Sequence, residues 1–445
     1  MASQPRAGVR VLDRIRVSPA APPSPEAALP LTFFDVAWLF TGPVERLFFY
    51  RHADPASTLP RLRSSLALAL QTFYPLAATI APRPPFLCTY THGADALAFV
   101  VAQSDCPDEF DRLVARSPRE MSLLRPLVPQ LPPPRDDGSF ALAAVQATLF
   151  PGRGLCLGLS VHHAACDDAS AMHFLRTWAA ACNELPPPPP PPPVLDRSLV
   201  ADPDDLRAKT LAGMARLAPP PPPPPEQEQQ QEEMVMASFV LRREDVERIK
   251  GGCPGASSFV AASAVAWVCL LRCGSVGVAG GERSHMLFSA ECRSRLAPPL
   301  PAEYFGNCLR PCFVEAATAE LVSGEEGGVA AAAAAIGRAI GEMERGVLEG
   351  AEGWLGKLLS VLPQRPMSVG GSPRHGVYAG ADFGWGRPAR VEMVSVEKTP
   401  GTVALAESPE GDGGMELGLV LPPDAMDAFA ACLARHLSPP PATTA

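Results

Sequence analysis

The segment "LCLGLSVHHAACDDASAMHFLRTW", residues 155 to 178, interrupts an apolar run with His162 and His163 and resumes after Asp167 and Asp168. Histidine titrates near neutrality, so a single imidazole can take a proton from a hydroxyl and hand it on to a leaving group. A histidine ending a strand is well placed for this, because the strand fixes its backbone while the ring turns into a cleft. Three other readings fit the same residue types. His162, His163, Asp167 and Asp168 could ligate a metal, although adjacent side chains at a strand end diverge and only some could meet at one ion. Cys166 could pair with a histidine as a nucleophile. Alternatively, Asp167 caps a helix and backbone groups satisfy the histidines.

The elements around this segment are legible from pattern. Residues 138 to 150 and 154 to 162 read as two strands joined by the turn "PGRG", an antiparallel hairpin that ends at the histidines. The following stretch carries Ala171, Phe174, Leu175, Trp178 and Cys182 at helical spacing, so the motif is a strand-to-helix turn. Upstream, Leu66, Ala69, Leu70 and Phe73 predict a buried helix over residues 63 to 78, ended by Pro75. Downstream, "ASSFVAASAVAWVCLLRC" predicts a buried helix capped by Ser257 or Ser258, and "SHMLFSAECRSRL" a strand leading to Arg293 and Arg295. Residues 329 to 362 read as mostly helix interrupted by glycines; "ARVEMVSV", "TVALAES" and "MELGLVL" read as strands, and "DAMDAFAACLARHL" as a closing helix. Interleaving without strict strand-helix alternation predicts mixed α/β layers rather than a doubly wound parallel sheet.

A chain of 445 residues exceeds what one core usually organises, and two domains are expected. The proline runs Pro186 to Pro193 and Pro219 to Pro225, the second leading into "EQEQQQEE" (226 to 233), mark the boundary as exposed polyproline or disordered linker. Between them "DPDDLRAKTLAGMARL" predicts a short helix. The expected division is 1–184, a crossover over 185–236, and 237–445. A net charge of −9 argues against non-specific nucleic-acid binding, and no apolar run reaches the length of a membrane span, so a soluble protein is expected. Twelve cysteines without a CxxC pair, and no N-terminal secretory pattern, predict a cytoplasmic location. Cys269/Cys273 and Cys308/Cys312 have zinc-compatible spacing, but without a second pair they read as buried small hydrophobes.

Several stretches together resemble the BAHD family of plant CoA-dependent acyltransferases, along nearly the whole chain. "HHAACD" matches the HxxxD motif with His163 and Asp167, and "DFGWG" (Asp382 to Gly386) matches the second signature. "YFGNC" (Tyr304 to Cys308), "LPLTFFDVAWL", "PVERLFFY", "LDRS" and "ECRSRL" are similar to the branch that acylates anthocyanin and other phenolic glucosides. Asp168 stands where the family generally has Gly after the motif aspartate, and Ala78 replaces a usual Gly in "FYPLAAT".

The resemblance implies an α/β fold of two similar-sized mixed-sheet domains of the chloramphenicol-acetyltransferase-like type, joined by a long crossover loop with one active site at their interface. It implies His163 as general base, with Asp167 turned away to pair with Arg293 or Arg295, and Asp382 in a structural role. Trp385 is the candidate oxyanion donor, with a core tryptophan as the alternative. Acyl-CoA would be a co-substrate with no bound cofactor and no metal. Ser257 and Ser258 at a helix start would meet the CoA phosphates, and Arg176 a malonyl carboxylate, unless it is a solvated surface arginine. The implied reaction moves malonyl from CoA to a hydroxyl of a phenolic or flavonoid glucoside in a monomeric enzyme. The alternatives are a hydroxycinnamoyl-CoA donor, a metal-dependent hydrolase, or a catalytically silent relative that binds phenolics or CoA.

Overall fold

The computed structural model describes residues 8–21, 26–51, 55–183, 190–214 and 233–437. Two large mixed sheets and one small one organise them. The first sheet runs Val9–Val17, Leu97–Ser104, Ala143–Phe150, Gly154–His162, Pro43–Arg51 and Arg390–Met393 in spatial order. The second runs Leu309–Ala317, Arg283–Glu291, Met367–Gly370, Thr402–Glu407, Met415–Leu421, Val235–Leu241 and Arg119–Glu120. Each large sheet thus takes one short strand from the other half of the chain.

The strand Gly154–His162 is central in its sheet and buried along its whole length, which is why it reads as an unbroken apolar run. Leu155, Leu157, Leu159 and Val161 join the core under the helices Pro55–Ala69 and Asp168–Cys182, while Cys156 faces the layer of Phe110, Leu124 and Leu127. Successive residues point to opposite faces, so His162 and His163 must diverge. In the second half the helices Ser258–Arg272, Glu325–Gly341 and Pro423–Leu437 pack together over the second sheet.

The expected hairpin, motif helix, helix at 258–272 and closing helix are all present, and Ser257 rather than Ser258 is the cap, accepting from the Val260 amide at 3.3 Å. Three elements differ. The upstream helix starts earlier and ends at Ala69, although its hydrogen bonds continue through Phe73 before Pro75 opens a short 3-10 turn. The stretch 329–362 breaks into Glu325–Gly341 and Trp354–Val361, with Gly346 (φ 145°) and Gly350 (φ 71°) between them in conformations that other residues rarely adopt. "ARVEMVSV" is a strand only to Met393; Val394–Lys398 is a 3-10 turn, because the chain leaves the first sheet there and must enter the second at Thr402.

The run Pro219 to Pro225, nearly all of the polar tract after it, and Pro186 to Pro189 lie outside the described residues. The part of the crossover that is described is packed rather than free. Pro191 O meets His173 Nε2 at 2.7 Å, Val194 bridges to Tyr304, and Arg197 is buried. The expected helix follows at Leu206–Met214. Among the described residues no helix is long and apolar enough to cross a membrane.

Candidate active site

His163 stands just past the end of the strand Gly154–His162, in the turn that leads to the helix Asp168–Cys182. Its Nδ1 lies 3.2 Å from Asn307 Oδ1. The orientation of that amide is determined by its other contacts. Asn307 Nδ2 donates to an Asp35 oxygen at 3.0 Å and to the His163 carbonyl at 2.9 Å, both obligate acceptors, so Oδ1 must face the ring. Oδ1 can only accept, hence Nδ1 carries the proton and the neutral ring keeps its lone pair on Nε2. The Trp38 indole stacks on the imidazole with ring centroids 3.7 Å apart and planes 7° from parallel. Burial pushes the His163 pKa below its ordinary value; its own backbone, Asp167, Asn307 and Asp168 oppose that shift without reversing it. The result is an imidazole that stays deprotonated at neutral pH.

Asp35 anchors this arrangement. Fully buried, it accepts from Thr32 N at 2.9 Å, Thr32 Oγ1 at 2.7 Å and Asn307 N at 3.0 Å, and Arg197 of the crossover stands 3.6 Å away. Gly306, with φ 155°, brings the chain close beneath Arg197; a Cβ there would overlap the guanidinium.

Asp167 points away from the base into a second node. It caps the motif helix by accepting from Ser170 N at 3.0 Å, takes Cys308 N at 3.1 Å, and pairs with Arg293 at 2.8 Å. Arg293 also donates to the carbonyls of Tyr304 and Gly306, both at 3.0 Å, stitching the motif turn to the "YFGNC" segment. Of the two arginines expected as partners, Arg293 is the one that reaches Asp167. Arg295 points outward and donates to the Glu291 carbonyl.

Asp168 is held from two sides, by Arg46 of the first sheet and by His375 Nδ1 at 2.5 Å. Burial alone would raise its carboxyl, but the Arg46 guanidinium and the contact with His375 overcome this and hold it far below the usual range. The charge that replaces the family glycine is therefore neutralised in place.

Trp385 is not brought to His163. It stacks on Phe383 and meets Tyr50 edge-on, while Gly384 lies against Asn183. Asn183 ends the helix whose first turn holds Asp167 and Asp168, and a helix of that length spans roughly 20 Å. The oxyanion role expected of Trp385 is corrected accordingly: the indole packs at the far end of the helix. Asp382 accepts from Gly384 N at 2.8 Å and Gly386 N at 2.9 Å, which shapes the "DFGWG" loop. Arg176 is not a solvated surface residue: Nη1 donates to His375 O at 2.9 Å and its stem lies over Gly380. Ser257 is exposed at the start of its helix, with Ser258 beside it.

The remaining readings of the motif lose their geometry. Cys166 is buried and its thiol is pushed well up by burial, so it stays protonated. His162 accepts from Ala164 N at 3.2 Å, and burial, His163 and Lys398 lower its pKa to about 4. With Asp167 and Asp168 committed to separate arginines, the four motif side chains do not converge on one point.

Asn307, Asp35, Trp38 and Arg197 were not singled out by sequence reasoning. Each lies in a stretch that carries the resemblance ("YFGNC", "LPLTFFDVAWL", "LDRS"), but a stretch does not say which side chain turns toward His163.

A sequence model of the Transferase family matches residues 7–433. Phenolic glucoside malonyltransferase 1 of Arabidopsis thaliana is 33% identical over 475 residues, covering 96% of this chain and 98% of its own. Coumaroyl-CoA:anthocyanidin 3-O-glucoside-6''-O-coumaroyltransferase 2 of the same species is 32% identical over 462 residues, covering 96% and 97%. The crystal structure of vinorine synthase shares the fold at a TM-score of 0.72 with 19% identity, covering 96% of this chain and 98% of that one.

Proposed function

The chain belongs to the Transferase family, the BAHD acyltransferases, and from that membership we propose that it moves malonyl from malonyl-CoA to a hydroxyl of a phenolic or flavonoid glucoside, with His163 as general base. As a member it is a CoA-dependent acyltransferase, with acyl-CoA as co-substrate. The observation that carries the catalytic part is the contact of His163 Nδ1 with Asn307 Oδ1, from which it follows that Nε2 is left as the lone-pair acceptor.

In this reading Nε2 takes the proton of the acceptor hydroxyl as its oxygen attacks the thioester carbonyl carbon. The tetrahedral intermediate collapses by breaking the carbon–sulfur bond, and the imidazolium returns the proton to the CoA thiolate. The stacked Trp38 face favours the transient cation. No covalent enzyme intermediate is needed. Asp167, Arg293 and Asp382 act through the backbone they hold. The exposed helix start at Ser257 and Ser258 is the proposed contact for CoA phosphates, and Arg176 the proposed partner of the malonyl carboxylate. The proposal takes the protein as a cytoplasmic monomer, supported for its location by twelve cysteines of which none is in a disulfide.

The test incubates the purified protein and His163→Ala with phenolic glucosides and malonyl-, acetyl- or coumaroyl-CoA, following free thiol and product mass. Malonyl glucoside that disappears in His163→Ala is the expected result. A product made only with coumaroyl-CoA would overturn the donor, in line with the coumaroyltransferase relative, and undiminished activity in His163→Ala would overturn the base.

A further inference from the structure

On the far side of the second sheet, a cluster of side chains takes no part in the proposed reaction. Cys269 lies in the helix Ser258–Arg272, and Cys432 and His436 lie one turn apart in the helix Pro423–Leu437 packed against it. Among the described residues these three form the group of histidine, cysteine and carboxylate donors whose ligand atoms all lie within 4.8 Å of one another. Both thiols are buried, at 0% and 2% exposure, within the core of the second half.

A second observation concerns the histidine of the cluster. His436 Nε2 is buried and has no hydrogen-bond partner. A buried ring nitrogen without a partner is costly. The backbone that carries it is fixed: Arg248 donates to the carbonyls of His436 at 2.6 Å and Leu437 at 2.8 Å. Sequence spacing paired Cys269 with Cys273, but the Cys273 sulfur is engaged by Leu270 O at 3.3 Å and Ser275 Oγ at 3.1 Å. The fold therefore pairs Cys269 with the last helix instead.

We propose that Cys269, Cys432 and His436 form a binding site for a soft, tetrahedral divalent cation of the zinc type, which ties the last helix to the helix Ser258–Arg272. Two sulfurs and one imidazole are a donor set that zinc accepts, with a fourth position left for water. Zinc–ligand bonds of about 2.0–2.3 Å bring tetrahedral donors to roughly 3.5–3.8 Å of one another, so small side-chain rotations close the site. The cation is structural and stands apart from the transfer chemistry at His163.

The full-length protein, stripped with chelator and dialysed, is titrated with Co²⁺ and then Zn²⁺ while absorption and Tm are followed. One Co²⁺ per chain is expected, with sulfur-to-cobalt charge-transfer and tetrahedral d–d bands that Zn²⁺ abolishes, and Tm rises on loading. The bands are expected to vanish in Cys432→Ser and in His436→Gln and to persist in Cys106→Ser. Absence of a sulfur-to-cobalt band in the unaltered protein overturns the site, a readout that does not depend on any variant folding. Bands that survive both Cys432→Ser and His436→Gln overturn it equally.

Discussion

Asn307 decides which nitrogen of His163 keeps its lone pair, and it does so through its contact with the ring. Its amide is oriented by Asp35 and by the His163 carbonyl, so removing it frees the ring to take either tautomer. Asn307→Ala is expected to lower kcat by roughly 100-fold, at the lower end of what a positioned base contributes, with little change in KM. Steady-state kinetics at saturating donor check this; a rise in KM alone would assign Asn307 to binding. The direction of the His163 pKa gives a second expectation. On the proposed mechanism the working base is the neutral ring; burial lowers its pKa, and activity is therefore expected to be lost only as pH falls through a value below the ordinary 6.5. A pH profile of kcat/KM should show its acid limb there. Because Asn307 contributes a rise to that pKa, Asn307→Ala should move the limb to still lower pH. Arg176→Ala, by contrast, should raise KM for malonyl-CoA and leave acetyl-CoA unchanged, since only the former carries the carboxylate that Arg176 is proposed to meet.

At the level of elements, the motif helix is tied by its first turn to both halves of the chain, through Asp167 to Arg293 and through Asp168 to Arg46 and His375. Asp168→Asn leaves the Arg46 guanidinium, 6% exposed, without its counter-charge, and is expected to cost about 3 kcal/mol in urea unfolding near neutral pH. The Asp168 carboxyl is depressed in the folded state, so its contribution is present above the unfolded value of about 3.9 and is lost as pH falls below it. The stability gap between the two proteins should narrow below about pH 4, and a constant gap would show that the ion pairs are not its source. The motif strand and helix were legible because both are governed by local rules: a run of apolar residues buried on both faces, then a capping aspartate before a 3.6-residue period. Arg293 against Arg295, the turn at Val394–Lys398 and the place of Trp385 were not legible. Each depends on where the two sheets meet, and the strand Arg390–Met393 that carries the "DFGWG" loop into the first half gives no sign of its destination in its own pattern.

The whole molecule is joined by an exchange whose contacts are charged and buried. Arg119, on the short strand that the first half lends to the second sheet, pairs at 2.7 Å with Glu392, on the strand that the second half lends to the first. Around them Arg390 meets Glu416 at 2.6 Å, Ser238 donates to Glu392 at 2.9 Å, and the Tyr378 hydroxyl donates to Glu416 at 2.6 Å. We propose the division at the crossover as one into two halves, each of which completes the other's sheet. Arg119 is fully buried with Nε and Nη2 without partners, and beside the neutral Leu113 carbonyl, which accepts from Nη1 at 3.0 Å, Glu392 supplies its counter-charge. Glu392→Ala should cost on the order of 3–5 kcal/mol, because it strands a buried guanidinium rather than removing a pair. If the halves fold as one unit, tryptophan fluorescence, with Trp178 in the first core and Trp267 in the second, and far-ultraviolet circular dichroism will shift together to lower urea in a single transition. Two separated transitions in Glu392→Ala would mean that this network, rather than the proximity of the two cores, is what makes the halves unfold together, and no shift at all would remove it from the account of how they are joined.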